Sequence, residues 1–195
     1  MKFPSPKSPR TTTAEALLGM LSLGALSGYE IRQSIKNSIG NFWRESYGQI
    51  YPTLKRLAME RLVKVQASQP NSKVRSERTI YELTPAGRRR LRAWLDTPST
   101  PQVARNEMLL KIFFAKQGDP SITRLQVEAF REFHLKELKR FEQIRTGLLR
   151  DAGKSEELPY WLMTLDYGES ESRAMLLWCE KTLKTVKKLA EGNDA

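Results

Sequence analysis

Apolar residues recur at helical spacing in three short stretches near the start of the chain and in long stretches near its end, with two alternating runs between them. In the first stretch Thr13 is a good N-cap, and Leu17, Leu18 and Leu21 fall on one face, predicting a helix over about 14–23. Beyond Gly24 and Gly28, the residues Tyr29, Ile31, Ile35 and Ile39 predict a second helix that ends at Gly40 and shows Arg32 and Lys36 on its other side. Ile50, Leu54, Leu57 and Leu62 mark the buried side of a third helix within 46–61. Pro52 removes one backbone donor from that helix, which leaves its start open between 46 and 49.

The period then changes from helical to alternating. Val63 to Ala67 and Thr79 to Leu83 are rich in β-formers and are expected to pair antiparallel. The connection from Ser68 to Arg78 is too long and too basic for a tight hairpin turn, and it reads as a basic wing. Thr84-Pro85 supplies an N-cap followed by proline at the first helical position, predicting a fourth helix to about Leu95. After the Pro-rich stretch 96–101, an apolar helix over about 102–117 is expected to be largely buried, with Gly118-Asp119-Pro120 stopping it. Two long amphipathic helices follow, one from Ser121 to about Arg150 and one beyond Glu157. Leu125, Phe133 and Phe141 line the first of these, and Trp161, Leu165, Met175, Cys179, Leu183 and Val186 the second. Such helices on a half with little core of its own imply a partner, most simply a second copy of the chain. Those nine residues are the expected dimer seam.

Helix, helix, helix, strand, basic loop, strand is the order of a winged helix-turn-helix, in which the third helix enters the major groove of DNA. Opposite its apolar side, Gln49, Pro52, Thr53 and Arg56 repeat at helical spacing. Gln49 is suited to bidentate pairing with adenine, and Arg56 to guanine or a phosphate. Tyr51 and Lys55 flank that face, Ser46 stands at the helix entry, and Lys73, Arg75 and Arg78 lie in the wing. Together with Arg32 and Lys36, these are the expected contacts to sugar and phosphate.

The distribution of charge points the same way. Residues 1–98 hold 17 Lys and Arg against 7 Asp and Glu, whereas 99–195 hold 16 against 15, so nearly all of the +11 net charge lies in the half with the winged-helix pattern. A polyanion is the partner that such a half suits. The apolar content is enough for a packed core and excludes a wholly disordered chain. Cys179 is the single cysteine and has no disulfide partner within the chain. The apolar stretch from Ala16 to Leu26 is interrupted by Gly19, Ser22 and Gly24 and is too short for a membrane span, so neither a signal peptide nor an anchor is expected. A cytoplasmic protein is the expectation, associated with the nucleoid when bound.

No paired carboxylate and histidine, phosphate-cradling glycine loop or metal-ligand cluster is present, which argues against an enzyme and against any cofactor or metal. His134 reads as structural and Cys179 as a small core residue. The tryptophans 43, 94, 161 and 178 read as core or interface filler rather than an effector pocket. The Arg88-Arg89-Arg90-Leu91-Arg92 run fits either a phosphate grip or a solvated helix face.

Three motifs in order carry a family resemblance: Leu17-Leu18-Gly19 with Gly28-Tyr29-Glu30-Ile31; Gly48 to Leu57, reading GQIYPTLKRL; and Tyr81 to Gly87, reading YELTPAG. The chain resembles the PadR family of bacterial transcriptional regulators over about 75 residues. The resemblance implies a winged-helix DNA-binding domain with a dimerising helical tail, usually a repressor, released in many members by a small ligand or stress signal. Arg61 stands where many members have glycine, and a left-handed residue there would cost about 1 kcal/mol.

The expected fold is therefore mainly α with a small β-hairpin: an N-terminal winged helix-turn-helix and a C-terminal long-helix dimerisation domain. The parts are a flexible basic tail over 1–12, the DNA-binding domain over 13–96, a linker over 97–101 and the helical domain over 102–195. The expected function is a homodimeric repressor on an inverted-repeat operator, with double-stranded DNA, a second copy and a small-molecule effector as partners. The rival reading is a non-enzymatic basic adaptor for an acidic protein or an anionic membrane surface.

Overall fold

A computed structural model describes residues 9–40, 42–66, 79–99 and 105–191. The chain divides into two units, 1–102 and 103–195.

In the first unit, α1 (Pro9–Ser22) starts earlier than the sequence pattern suggests. Thr13 is accordingly not an N-cap but a buried residue inside the helix, beside Ala14, Leu17, Leu18 and Leu21. A two-residue strand, β1 (Leu26–Ser27), leads into α2 (Gly28–Ser38). Ser27 caps α2 reciprocally with Glu30: the Ser27 backbone N–H donates to the Glu30 carboxylate at 2.8 Å, and the Glu30 N–H donates to the Ser27 hydroxyl at 3.3 Å. Helix α3 (Tyr47–Met59) follows, with Pro52 inside it.

The end of α3 is a Schellman turn. Leu62 N–H donates to the Leu57 carbonyl at 2.9 Å and Arg61 N–H to the Ala58 carbonyl at 3.0 Å, with Arg61 in the left-handed region at φ 57°. Strands β2 (Val63–Gln66) and β3 (Ile80–Leu83) pair antiparallel, with Val63 opposite Leu83. β3 is central, because β1 pairs on its other side with Leu26 opposite Tyr81. The expected hairpin is thus a three-stranded sheet.

Thr84 caps α4 (Pro85–Leu95) by accepting from the Gly87 N–H at 3.1 Å, and its hydroxyl reaches the Leu62 carbonyl at 2.9 Å. The core is formed by Leu17, Leu18, Ile31, Ile50, Leu54 and Leu57, all fully buried, with Val63, Tyr81 and Leu83 from the sheet. Arg90 of α4 belongs to the scaffold. It donates through Nε and Nη2 to the buried carboxylate of Glu15 and through Nη1 to Glu60. Of the arginine run, Arg90 is thereby a structural residue, while Arg88, Arg89 and Arg92 are exposed.

The second unit starts with α5 (Glu107–Phe113) and a 3-10 turn (Ala115–Gln117). Its apolar residues are not buried as expected: Leu109, Leu110 and Phe114 are about half exposed and Phe113 is 81% exposed. Asp119 does more than stop this segment. Its side chain accepts from the Ser121 N–H at 2.8 Å and caps α6 (Pro120–Asp151), which returns as α7 (Leu158–Glu191). The two run antiparallel, since Arg145 meets Glu169 while His134 meets Ser172. Val127, Phe141, Leu158, Leu165, Cys179 and Val186 fill the seam between them, and Gly168 sits in it. His134 is buried there, 3.2 Å from the Ser172 hydroxyl through Nδ1 and edge-on to the Phe130 ring at 4.4 Å. Among the described residues no helix is long and apolar enough to cross a membrane.

Candidate nucleic-acid interface

Helix α3 has two unlike sides. Ile50, Leu54 and Leu57 are wholly buried, while Gln49, Tyr51, Pro52 and Lys55 face solvent. The sequence pattern placed Thr53 on the open side, but it is only 9% exposed. Its methyl group suits the packed side of the helix, and it drops out as a groove contact. Lys73, Arg75 and Arg78 of the wing lie outside the described residues.

Gln49 is already occupied. Ser46, the N-cap, donates to Gln49 Oε1 through its backbone N–H at 3.2 Å and through its hydroxyl at 2.9 Å. Because a backbone N–H can only donate, the carboxamide oxygen must be the atom facing it, and the Nε2 donors remain for a ligand. Bidentate adenine pairing needs both the oxygen and the nitrogen, so it requires this cap to open. Ser-x-x-Gln is a readable capping signature, and it was the signal missed in the sequence.

Arg56 is half-buried and lies 3.8 Å from Glu60, which in turn receives Arg90 at 2.8 Å. Its guanidinium is thus oriented by a carboxylate along the helix. Lys55 is exposed, and so is Lys36 on α2. The guanidinium of Arg32 lies over the ring of Tyr47, 4.2 Å from its centre. Tyr47 in turn stacks on Tyr51 at 5.9 Å between centroids. Tyr47 was not among the expected site residues, although its four-residue spacing from Tyr51 was visible. Beneath them, burial and the neighbouring Tyr51 phenol push the Tyr81 hydroxyl above its ordinary pKa of 10.0.

The described contacts join Arg32 to Tyr51 through Tyr47 and Ser46 to Gln49, and α3 carries Lys55 and Arg56 beside them. Such a face presents cations and polar donors from a helix whose opposite side is locked in a core. Residues 17–93 match the model of the transcriptional regulator PadR-like family, and residues 104–187 match that of the virulence activator alpha C-terminal region. Residues 17–93 form a PadR-like family domain.

The chain is 28% identical over 179 residues to the negative transcriptional regulator PadR of Bacillus subtilis, covering 89% of this chain and 96% of that protein. It is 29% identical over 146 residues to a probable transcriptional regulator of Mycobacterium tuberculosis, covering 70% and 76% respectively. The crystal structure of Bacillus subtilis PadR in complex with operator DNA superposes with a TM-score of 0.77 at 25% identity, covering 90% of this chain and 99% of that one. The biochemical class is DNA-binding transcription regulation, and the protein is not an enzyme.

The long helices revise the expected dimer seam of this PadR-like protein. Phe141, Leu165, Cys179 and Val186 are buried between α6 and α7 of a single chain. The amphipathic pattern reports that a stripe is covered, not by which copy, and here the neighbouring helix of the same chain covers it. Leu125 and Phe133 are exposed, and Trp161, Met175 and Leu183 are half-buried. Exposed apolar residues that the sequence reading passed over are Tyr160, Met163, Tyr167 and Leu177, on the side of α7 away from α6. Burial raises the pKa of the Cys179 thiol, outweighing the opposite pull of Arg131, which fits a packing role and opposes thiolate chemistry.

Proposed function

We propose that this PadR-like protein is a homodimeric repressor that reads an inverted-repeat operator by placing α3 in the major groove. The observation that carries the reading is the two-sidedness of α3, with Ile50, Leu54 and Leu57 at 0% exposure and Gln49, Tyr51 and Lys55 open to solvent. Gln49 and Arg56 read base edges, while Ser46, Tyr51, Lys55, Arg32 and Lys36, with Lys73, Arg75 and Arg78 of the wing, hold the backbone. The +10 charge of residues 1–98 supports a sequence-independent grip on phosphates beneath the specific one.

The dimer reading is supported by the apolar residues on the outer sides of the α6–α7 pair. Ile122, Leu125 and Phe133 on α6 and Tyr160, Met163, Tyr167 and Leu177 on α7 are apolar residues exposed outside the intrachain seam. A second copy is the simplest cover. A small effector is the third partner, and the pocket of about 520 Å³ lined by Leu110, Phe114, Ile122, Lys111 and Gln126 is the place we assign to it. The cell compartment is the bacterial cytoplasm, on the nucleoid when bound.

Selection of bound sequences from a random duplex pool tests the operator, and light scattering of the free protein tests the assembly. Enrichment of an inverted repeat with half-sites about one helical turn apart, and a mass twice the 22.4 kDa of one chain, are expected. An unenriched pool, a direct repeat or a monomeric mass would overturn the corresponding part. A promoter reporter carrying the selected operator then separates repression from activation.

A further inference from the structure

We propose that Tyr47 is a positioning residue for DNA binding: it holds the Arg32 guanidinium ready for a backbone phosphate and fixes Tyr51 on a seat formed by Gly28. The proposal rests on the reading that α3 enters DNA, and adds two residues, Tyr47 and Gly28, that the reading did not use.

Three contacts carry it. The Arg32 guanidinium carbon is 4.2 Å from the centre of the Tyr47 ring. Tyr47 stacks on Tyr51 at 5.9 Å with 23° between the planes. Tyr51 then lies against the backbone of Gly28, so close that a β-carbon there would come within 2.7 Å of its Cε1. Gly28 and Arg32 are one turn apart on α2, and Tyr47 and Tyr51 are one turn apart on α3. The ladder therefore joins the two helices of the DNA-binding motif at two levels.

A guanidinium held over a ring face by its central carbon spends no N–H donor on a carboxylate or carbonyl there, so its planar fork stays available. Among the described residues no carboxylate pairs with Arg32, so the fork is not spent inside the protein. A phosphate matches that fork, and an arginine already held on a ring loses less rotamer freedom when it takes one. Gly28 is needed because any side chain there displaces Tyr51 from beneath the stack.

The test measures affinity for a labelled duplex of mixed sequence over a series of salt concentrations, with thermal unfolding of each variant alongside. Tyr47→Phe keeps the ring and is expected within about twofold of wild type with the same salt dependence. Tyr47→Leu keeps bulk but no π face; it is expected to bind about three- to tenfold more weakly, with the slope of log affinity against log salt shallower by about one. Arg32→Ala should cost about the same, and Tyr47→Leu added to Arg32→Ala should cost little more. Arg32→Lys tests the stack without touching the ring: about threefold weaker binding with a slope shallower in the same direction as in Tyr47→Leu is expected, because the cation stays but the planar fork held over the ring is gone.

Wild-type affinity in Tyr47→Leu overturns the proposal. So does a loss that leaves the salt slope unchanged, or one that adds in full to Arg32→Ala, since either marks Tyr47 as packing alone. Loss of binding in Lys55→Ala beside a neutral Tyr47→Leu removes this inference and leaves the α3 reading standing. A wild-type protein that binds no duplex removes both.

Discussion

Replacing Arg90 by methionine is expected to destabilise the first unit by about 2–3 kcal/mol. Arg90 reaches Glu15 Oε1 through Nε at 3.2 Å and Nη2 at 3.1 Å, and Glu60 through Nη1 at 2.8 Å. The Glu15 side chain is 4% exposed and its other oxygen, Oε2, has no hydrogen-bond partner. Removing one partner of a fully buried pair costs about 3–5 kcal/mol, because a charge is left without compensation. Here the figure is reduced because the Arg90 side chain is one-third exposed, so water already screens the pair. The arm to Glu60 is more open and contributes at most about 1 kcal/mol. The methionine keeps most of the aliphatic stem, so lost packing is a small part of the effect.

Urea unfolding and calorimetry of the full chain measure it. For a unit of this size about 2–3 kcal/mol lowers the midpoint by roughly 10–20 °C. Adding Glu15→Gln removes the stranded charge, so the double variant should be more stable than the sum of the two single losses predicts. A loss under about 0.5 kcal/mol, or losses that simply add, would show that Glu15 is solvated and that Arg90 does not support it.

Gly87→Ala places a methyl carbon 2.2 Å from the Leu62 carbonyl oxygen and 2.6 Å from a Leu83 methyl. Since the first of these is backbone, α4 must shift, costing about 3 kcal/mol; a wild-type melting point would refute the tight approach. Arg61→Gly relieves a left-handed residue at φ 57° and should raise stability by about 1 kcal/mol, whereas lower stability would show that the Arg61 side chain contributes more than the strain costs. Burial pushes the His134 imidazole below the ordinary 6.5, against smaller opposing pulls from Glu171 and Glu137. As the pH falls, the unfolded chain takes up its proton first, so stability of the second unit is full above pH 6.5 and declines between 6.5 and the lower folded value. His134→Gln should flatten that decline, and an identical pH profile in the variant would rule out His134 as its source.

The buried side of α3 was legible because Ile50, Leu54 and Leu57 repeat at the helical period and no other periodicity competes. Thr84-Pro85 was legible because the cap and the proline act within four residues of chain. β1 was not, since two residues cannot show an alternation, and its existence depends on β3 being there to pair with it. Thr13 was misread because a capping residue type says nothing about whether the helix has already begun. In the second unit the pattern found Phe141, Leu165, Cys179 and Val186 as covered residues but assigned the cover to another chain. A heptad-like stripe is the same string of residues whether a helix packs on its own hairpin partner or on a second copy. What distinguishes them is the turn over 152–157 that sends α7 back along α6, a tertiary fact with little periodic signature.

The groove contacts we propose are constrained by the scaffold that presents them. Gln49 Oε1 serves as part of the α3 cap, and opening such a cap costs about 1 kcal/mol. A bidentate contact to adenine is worth about 1–3 kcal/mol against the wrong base, so half or more of a modest contact would be offset by the lost cap. With the cap intact, Gln49 offers only donors, which suit the N7 and O6 of guanine, the O4 of thymine or a phosphate. The operator position facing Gln49 should therefore favour an acceptor-rich edge, with adenine discriminated weakly. In Ser46→Ala one of the two donors to Oε1 is gone, the carboxamide turns more freely, and adenine should gain at that position relative to guanine. Base preferences selected by wild type and Ser46→Ala from the same random pool decide this, and identical preferences would mean that the cap does not limit what Gln49 reads.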